Sequence, residues 1–405
     1  MNKRLLQINV SANAGSTGKI AEQIGIAAMQ SGYESYIAYG KRSNNSKSEL
    51  IKIGSKFDIY YHGIQSRLFD RHGLASKTAT REFIKRVDEI NPTIIHLHNI
   101  HDYYLNYPLL FEYLKESRIP VVWTLHDCWP FTGHCAYFDF LKCEKWKKHC
   151  EECPGLRTYP KTIGFDRSRK NFNAKKKAFV SVADNLILVP VSYWIEGFVK
   201  ESFLGKARTK TIHNGIDIDI FKPISDISQI RDKYNLCQDK KIVLGVAAPW
   251  SRRKGLNDFC SLRNVLDKNY LIVLVGLSNE QINELPEGIV GINRTENQDE
   301  LAGLYSLADV FANPTYEDNY PTTDIEALAC GCPIVVYKTG GAPEAVTPET
   351  GIVVDQGNIG ALAESIKKLA ERCQSIRGKC REWALENSDS NIINKQYIEL
   401  YNSLL

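Results

Sequence analysis

The side chains whose types and spacing point most directly to chemistry are two acids. Asp318 and Glu326 lie eight positions apart, after the apolar run "DVFA". Thr322 and Thr323 precede a helical pattern that extends to Gly331, so we expect these threonines to cap a helix that holds Glu326 in an early turn. Carboxylates there could bind the vicinal diol of a ribose or hexose and leave the helix N-terminus for a phosphate. Ordinary helix acids are the alternative interpretation.

A group of three adjacent cations forms a second candidate. Arg252, Arg253 and Lys254 precede Gly255, shortly after the strand-like run "KIVLGVAA". Cations at the carboxyl end of a strand suit a diphosphate, whose charge must be neutralised when it leaves. A solvated basic turn would give the same pattern.

The segment "NAGSTGKI" contains half of a phosphate-binding loop. A nucleotide-hydrolysing loop would need glycine at Asn13 and serine or threonine at Ile20, and the chain has neither. A structural turn, or a glycine loop that offers amides to a phosphate or a sugar hydroxyl, remains. The residues of this loop are Gly15, Ser16, Thr17 and Gly18.

These motifs resemble those of a known family. The acid spacing, "EALACGCPIV", "GGAPE", "IHNGIDIDIF" and the Lys-Gly turn are together similar to the family-4 retaining glycosyltransferases of GT-B fold, over essentially the whole chain. The resemblance implies two Rossmann-like, doubly wound α/β domains that face a central cleft. It also implies transfer of a hexosyl unit from a nucleotide diphosphate sugar to a hydroxyl acceptor with retention. No protein nucleophile, catalytic metal or other catalytic cofactor would be needed.

The resemblance assigns roles to the two acids. The second acid, Glu326, would hold the nucleotide ribose, and the first, Asp318, the transferred sugar. The family usually has glutamate at the first position, so Asp318 is a departure, and Glu317 lies one residue too early. The remaining donor-binding loop would comprise Asn319, Tyr320, Pro321, Thr322 and Thr323.

The other site residues also follow from the resemblance. Lys254 would contact the pyrophosphate. The family's arginine falls on Pro249 here, which leaves Arg252 or Arg253 to supply its charge. The glycine loop would reach toward the donor phosphate and the acceptor. His126 would face the donor sugar, while His96 and His98 could line the site or pack in the core.

The arrangement of apolar runs indicates the elements that position these residues. Of the 405 residues, 43% are hydrophobic and 24% charged, as in ordinary globular chains. Two series of continuous apolar strands alternate with helical patterns, which predicts two parallel sheets covered on both faces. We expect an N-terminal acceptor-side domain at 1–221, a nucleotide-sugar domain at 222–386, and a C-terminal helix at 387–405 that returns to the first domain.

A cysteine-rich insertion interrupts the first domain at 128–154. Cys150 and Cys153 have the spacing of a zinc knuckle, and two more thiolates could complete a tetrahedral site. Structural zinc, free thiols and disulfides all remain open. The predicted ligands are Cys135, Cys143, Cys150 and Cys153.

Charge and hydropathy limit the classes of partner that this chain could bind. The net charge of +4 does not indicate nucleic acid binding. No apolar run approaches the ~18 residues that span a bilayer, and the N-terminal run is too short and polar for a signal peptide. We therefore expect a cytoplasmic protein. Residues 161–177 carry seven Lys or Arg against one Asp, which is typical of a solvated face but could dock on anionic lipid near a lipid-linked acceptor.

Two other functions share these features. A nucleotide-sugar epimerase can have the same two-domain fold and would need no acceptor. A non-catalytic nucleotide-sugar sensor or scaffold is disfavoured by the intact acid pair and the cationic turn. The predicted role is hexosyl transfer to a glycan or lipid-linked glycan in cell-surface polysaccharide synthesis.

Overall fold

The computed structural model describes residues 3–405, which form two compact units. The first unit extends to His213 and includes Asn394–Leu405, and the second comprises Asn214–Ile393. The predicted boundary after Phe221 therefore lies inside the second unit. The reason is backbone pairing: the amide of Ile216 donates to the carbonyl of Ser388, and the amide of Ser390 donates to Ile216.

The first unit is built on a seven-stranded parallel sheet with strand order β3-β2-β1-β4-β5-β6-β7. Most of its central strands are buried on both faces, as the continuous apolar runs predict. Its strands are β1 (Lys3–Ala12), β2 (Tyr33–Ser43), β3 (Glu49–Lys52), β4 (Ile94–Leu97), β5 (Val121–Leu125), β6 (Leu186–Pro190) and β7 (Arg208–Thr209). Its helices are α1 (Gly15–Gln30), α2 (Lys56–Phe69), α3 (Lys77–Ile90), α4 (Tyr107–Ser117), α5 (Ser168–Val180) and α6 (Tyr193–Glu201).

The second unit contains a six-stranded parallel sheet with strand order β10-β9-β8-β11-β12-β13. Its strands are β8 (Lys241–Val246), β9 (Tyr270–Val275), β10 (Ile289–Ile292), β11 (Val310–Asn313), β12 (Ile334–Tyr337) and β13 (Gly351–Val354). Its helices are α7 (Ser228–Lys233), α8 (Leu256–Val265), α9 (Asn279–Asn283), α10 (Gln298–Leu307), α11 (Thr322–Ala329) and α12 (Ile359–Asn387). The predicted doubly wound α/β class is confirmed for both units.

Each sheet has a point at which the strand order reverses. In the first sheet it lies between β1 and β4, and in the second between β8 and β11. Ligands of open α/β sheets bind beyond the carboxyl ends of the strands at such a switch point, because the connections diverge there to opposite faces. The loops after β8 and β11 are therefore neighbours, although they are far apart in the sequence.

The last helix, α13 (Ser390–Asn402), contributes most of its length to the first unit. The hydroxyl of Tyr397 lies 3.1 Å from Oγ1 of Thr124, and that of Tyr401 lies 2.6 Å from Nδ1 of His96. The C-terminal residues thus complete the first unit by capping side chains of β4 and β5. Among residues 3–405, none of the helices combines the length and apolar character that crossing a bilayer requires.

Candidate functional site

The loops at the switch point of the second sheet are joined through their backbones. Arg252–Lys254 form a short 3-10 helix after β8, and the carbonyl of Arg253 accepts the amide of Tyr316 at 2.7 Å. Gly255 has φ +77°, and a Cβ there would lie 2.2 Å from the carbonyl oxygen of Pro314. Only glycine lets the cationic turn approach the loop after β11 this closely.

An ion pair connects the two candidate loops. Nζ of Lys254 donates to Oδ2 of Asp318, and both side chains are only partly exposed. Burial raises the pKa of Asp318, but the charges of Lys254 and Arg253 outweigh it and lower the pKa below its usual value. Asp318 is therefore ionised at neutral pH, and its carboxylate holds the lysine at the carboxyl ends of the strands.

The structure distinguishes Asp318 from its neighbour Glu317. Glu317 is fully buried, and its carbonyl accepts hydrogen bonds from the Arg253 guanidinium and from the hydroxyl of Thr315. Asp318 is partly exposed. The side chain that reaches solvent is the aspartate at the family's spacing, although its role in binding sugar stays a prediction.

The segment "TGGAPE" packs against the backbone of Asp318. Gly340 has φ +59°, and a Cβ there would lie 1.8 Å from the carbonyl oxygen of Asp318. The amide of Gly341 donates to the same oxygen at 3.2 Å. Gly340 and Gly341 therefore hold the backbone of Asp318 in place.

Helix α11 begins after Pro321, and no side chain caps it. The expectation that Thr322 and Thr323 cap this helix is wrong: both are within its first turn, because Pro321 has the extended conformation of the N-cap position. The helix ends at Ala329 with Cys330 as its C-cap, one residue before the predicted glycine. Its first amides are thus left without a side-chain acceptor from a cap.

Glu326 is half-buried on α11. Its Oε2 accepts a hydrogen bond of 3.1 Å from the hydroxyl of Tyr305 on α10. Burial, then the charge of Glu326, raises the pKa of Tyr305, which therefore stays protonated and keeps donating. This contact holds one carboxylate oxygen of Glu326 in place.

Sequence reasoning missed Asp324, which lies between the two predicted acids. It is fully buried, its Oδ1 accepts from Asn313 at 2.7 Å, and its Oδ2 has no hydrogen-bond partner among the described residues. Burial raises its pKa well above the ordinary value, with Asp318 adding to the effect. A neutral Asp324 thus ties the first turn of α11 to the end of β11. The available signals were a polar residue, Asn313, at a strand end and an acid in the first turn of the helix that follows.

The first unit carries the predicted glycine loop. Gly15 to Gly18 form the first turn of α1, which begins at Gly15 without a side-chain cap, rather than a separate loop. Gly15 and Ser16 are exposed, whereas Gly18 is buried. The amide of Asn13 donates to the carbonyl of Gly18 at 3.1 Å, which closes the turn back on the end of β1.

His126 follows β5 and ends a chain of hydrogen bonds. Nδ1 of His98 lies 3.1 Å from Nε2 of His126, and Nε2 of His98 lies 3.1 Å from Oε1 of Gln7. Because Gln7 donates its amide to Ala21, its oxygen must accept from His98. A neutral His98 then accepts at Nδ1, so His126 donates from Nε2. Burial lowers the pKa of His126 to about 4.

The structure shows different surroundings for His96, which lies on β4, and His98, which directly follows it. His96 is bonded to Thr124 and Tyr401 and is fully buried, so it packs in the core. His98 is buried and orients His126 through the bond just described. A further buried pair, His101 and Asp127, was not predicted: Nε2 of His101 lies 2.9 Å from Oδ2 of Asp127.

Burial lowers the pKa of five histidines in the first unit. They are His62, His72, His96, His98 and His126. In the unfolded chain histidine titrates near ~6.5, so below this pH the unfolded state binds more protons. The contribution that these histidines make to the free energy of unfolding is therefore complete above pH ~6.5. Below this pH the free energy of unfolding should fall, by up to about 1.4 kcal/mol per pH unit for each histidine.

Urea unfolding between neutral and mildly acidic pH measures this slope. His62→Gln should reduce it by nearly one proton. A stability that does not depend on pH in this range would contradict the buried neutral histidines.

The cysteine insertion forms a small cavity of about 20 Å³, which Cys135, Cys143, Cys150 and Cys153 all help to line. Sγ of Cys135 lies 3.3 Å from Sγ of Cys153, and Sγ of Cys150 accepts the amide of Gly133 at 3.2 Å. All eleven cysteines are free thiols. Among residues 3–405, no three His, Cys, Asp or Glu side chains are grouped so that they could hold a metal ion. Structural zinc therefore stays a prediction.

The chain is similar in sequence to known glycosyltransferases. The putative colanic acid biosynthesis glycosyl transferase WcaC of Escherichia coli K12 is 24% identical over 412 aligned residues, which cover 98% of each chain. The D-inositol 3-phosphate glycosyltransferase of Mycobacterium tuberculosis strain F11 is 30% identical over 188 residues, 43% of this chain and 38% of that one.

Solved structures share the fold. Sucrose-phosphate synthase from Thermosynechococcus elongatus superposes with a TM-score of 0.72 at 19% identity, covering 99% of both chains. Anabaena HepE, solved with UDP and glucose, gives 0.69 at 17% identity, covering 98% of this chain and 99% of that one. Two Rossmann-like units of this kind define the GT-B class of glycosyltransferases. Residues 18–220 match Glycosyltransferase Family 4 and residues 240–372 match Glycosyl transferases group 1, so the chain belongs to glycosyltransferase family 4.

Proposed function

We propose that this glycosyltransferase moves a hexosyl unit from a nucleotide diphosphate sugar to a hydroxyl of a glycan or lipid-linked glycan, with retention of anomeric configuration. The structures of HepE with UDP and with UDP-glucose support a nucleotide-sugar donor. The name of the WcaC relative supports a role in polysaccharide synthesis.

One observation carries the proposal: the pairing of Lys254 with Asp318 at the switch point of the second sheet. Asp324 is close enough to Asp318, Lys254 and Glu326 for their charges to act on it, so the four side chains form one cluster. The cluster combines a cation for a diphosphate with carboxylates for sugar hydroxyls. The first turn of α11, which no side chain caps, adds amide donors for phosphate.

The proposed reaction uses these groups in sequence. The bond between the anomeric carbon and the diphosphate oxygen breaks, and its electron pair stays on the diphosphate. The acceptor oxygen bonds to the anomeric carbon on the same face and passes its proton to the departing phosphate oxygen. Lys254, with Arg252 or Arg253, stabilises the charge that develops on the diphosphate. Asp318 releases the lysine to the phosphate and binds a sugar hydroxyl.

His126 contributes a neutral side chain in this proposal. With a pKa of about 4 it carries no charge at pH 7. The bond to His98 fixes its tautomer, so Nδ1 is left as an acceptor for a sugar hydroxyl. Such a bond would orient the donor sugar without opposing the positive charge that develops at the anomeric carbon.

The experiment that tests the proposal is calorimetry of Glu326→Gln with UDP and GDP. We expect weaker nucleotide binding by roughly 1.5 to 3 kcal/mol, because a neutral amide replaces a charge-assisted bond to the ribose. Glu284→Gln, at an exposed position of the same unit, is the matched control. Equal affinity of Glu326→Gln and the native chain would refute the ribose assignment.

A second prediction concerns metal. Elemental analysis of protein purified under reducing conditions should find about one zinc per chain, and Cys150→Ser should lower that content.

Turnover should survive brief EDTA treatment, because cationic side chains already neutralise the diphosphate. Protein without zinc would remove the structural site, and activity restored by magnesium or manganese after chelation would exclude a metal-independent reaction.

A further inference from the structure

Helix α2 presents its apolar face outward. Phe57, Tyr60, Tyr61 and Leu68 are exposed, with Phe57 74% and Tyr60 70% accessible. Spacings of three, four and seven residues place them on one side of the helix. The opposite side carries buried His62 and Ser66. A helix on a globular surface normally has the reverse polarity, so the outward side of α2 indicates a contact surface.

A neighbouring loop extends this surface. The amide of Ile163 donates to the carbonyl of Arg67 at 2.8 Å, and that of Phe165 donates to Leu68 at 3.2 Å. The ring of Phe165, which is 71% exposed, stacks on that of Phe69 with centroids 6.4 Å apart. We call the whole set the aromatic face. Its members are Phe57, Tyr60, Tyr61, Leu68, Phe69, Ile163 and Phe165.

Exposed cations flank the aromatic face. Lys56 and Arg67 are exposed at the two ends of α2, and Lys161 is exposed in the attached loop. The two acids in these segments are engaged locally: Asp58 accepts the amide and hydroxyl of Ser55, and Asp166 accepts amides of the backbone. Large aromatic side chains with flanking cations are the pattern of a helix that lies in the interface of an anionic membrane.

The structure also corrects the sequence expectation for the basic segment 161–177. Lys175 is fully buried and donates to the carbonyls of Trp129 and Thr132, and burial lowers its pKa to about 7. Residues 161–177 are therefore not one continuous solvated face. The part of the segment joined to α2 is its beginning, where Lys161 lies beside exposed Ile163 and Phe165.

We propose that the aromatic face docks on the surface of an anionic lipid bilayer, with α2 parallel to the membrane plane. The rings enter the boundary between headgroups and acyl chains, and the cations remain at the level of the phosphates. A bilayer is favoured over a second copy of the chain because the flanking cations would repel their counterparts in a symmetric contact. This inference goes beyond the proposed function and holds whichever sugar is transferred.

Sedimentation with vesicles tests the proposal on the full chain. Vesicles contain phosphatidylcholine alone or with an equal amount of phosphatidylglycerol. The triple variant Phe57→Ser, Tyr60→Ser, Phe165→Ser should lower partitioning into anionic vesicles by at least about tenfold. The charge variant Arg67→Glu, Lys161→Glu should remove the preference for phosphatidylglycerol and make binding insensitive to salt.

Matched controls lie in the second unit. Val265→Ser with Ile392→Ser removes exposed apolar side chains, and Lys268→Glu reverses an exposed charge. Both should bind vesicles as the native chain does. Nucleotide affinity and thermal stability of the triple variant should be unchanged, since its residues are exposed.

Two results would overturn the proposal. In the first, the triple variant and the native chain partition equally into anionic vesicles. In the second, the native chain binds no vesicles but forms dimers in sedimentation velocity, and the triple variant is monomeric; the aromatic face is then an interface between copies.

Discussion

Lys254→Ala is expected to lower kcat by about 10²- to 10³-fold, the usual cost of removing one preorganised group that stabilises developing charge. Lys254 is the cation that the structure places directly on Asp318. The loss should appear in kcat more than in the affinity for UDP, because the diphosphate gains charge as the sugar leaves. Steady-state kinetics with an excess of donor measures this effect.

The loss of turnover could also arise because removing Lys254 leaves the Asp318 carboxylate uncompensated, and this explanation can be tested separately. Without Lys254 the pKa of Asp318 rises, since the lysine charge is the largest of the charges that lower it. The double variant Lys254→Ala, Asp318→Asn removes the uncompensated carboxylate. If the double variant turned over as fast as Asp318→Asn alone, Lys254 would act only by neutralising Asp318, and its role toward the diphosphate would be wrong. Lys268→Ala, at an exposed position, is the control with unchanged kcat.

Asp318→Ala is expected to reduce turnover by about tenfold or more, with a smaller change in nucleotide affinity. The sugar contact has to strengthen as charge develops at the anomeric carbon, whereas the nucleotide is held elsewhere. Aspartate is one methylene shorter than the family's glutamate. The carbonyl of Asp318 is fixed by Gly341, and the ring of Pro321 stiffens the loop, so the shorter side chain has to meet the sugar from a fixed backbone.

Glu317 provides the matched comparison. It is fully buried, so Glu317→Ala should lower stability while the folded enzyme keeps its turnover. Glu317→Gln preserves the volume of the side chain and gives a second reading if the alanine variant folds poorly. A chain in which Glu317 is essential and Asp318 dispensable would show that the family's register is shifted by one residue here.

The aromatic face and the donor cluster belong to different units and can be tested separately. Loss of vesicle binding with intact nucleotide affinity would separate membrane docking from catalysis. An enzyme held at a bilayer would meet a lipid-linked acceptor in two dimensions, which gives the exposed rings of α2 a role that the donor chemistry does not require.

Much of the fold could be predicted from the sequence. Continuous apolar runs such as "LILVP" and "YLIVLV" are buried strands, because a parallel sheet covered on both faces has no polar side. The domain boundary was less predictable. Turn residues after His213 mark a break in the pattern, but the pairing of Ile216 with the segment at Asp389 assigns them to the second unit.

The sequence by itself determined the family, the two parallel α/β units and the spacing of Asp318, Glu326 and the cationic turn, because these depend on local order along the chain. Tertiary structure alone decided which groups meet. Lys254 and Asp318 are 64 residues apart, and His98 and Gln7 are 91 apart. Their contacts follow from the strand order of each sheet. Burial likewise depends on neighbours distant in sequence, which is why Lys175 lies inside the first unit while the rings of α2 remain in solvent.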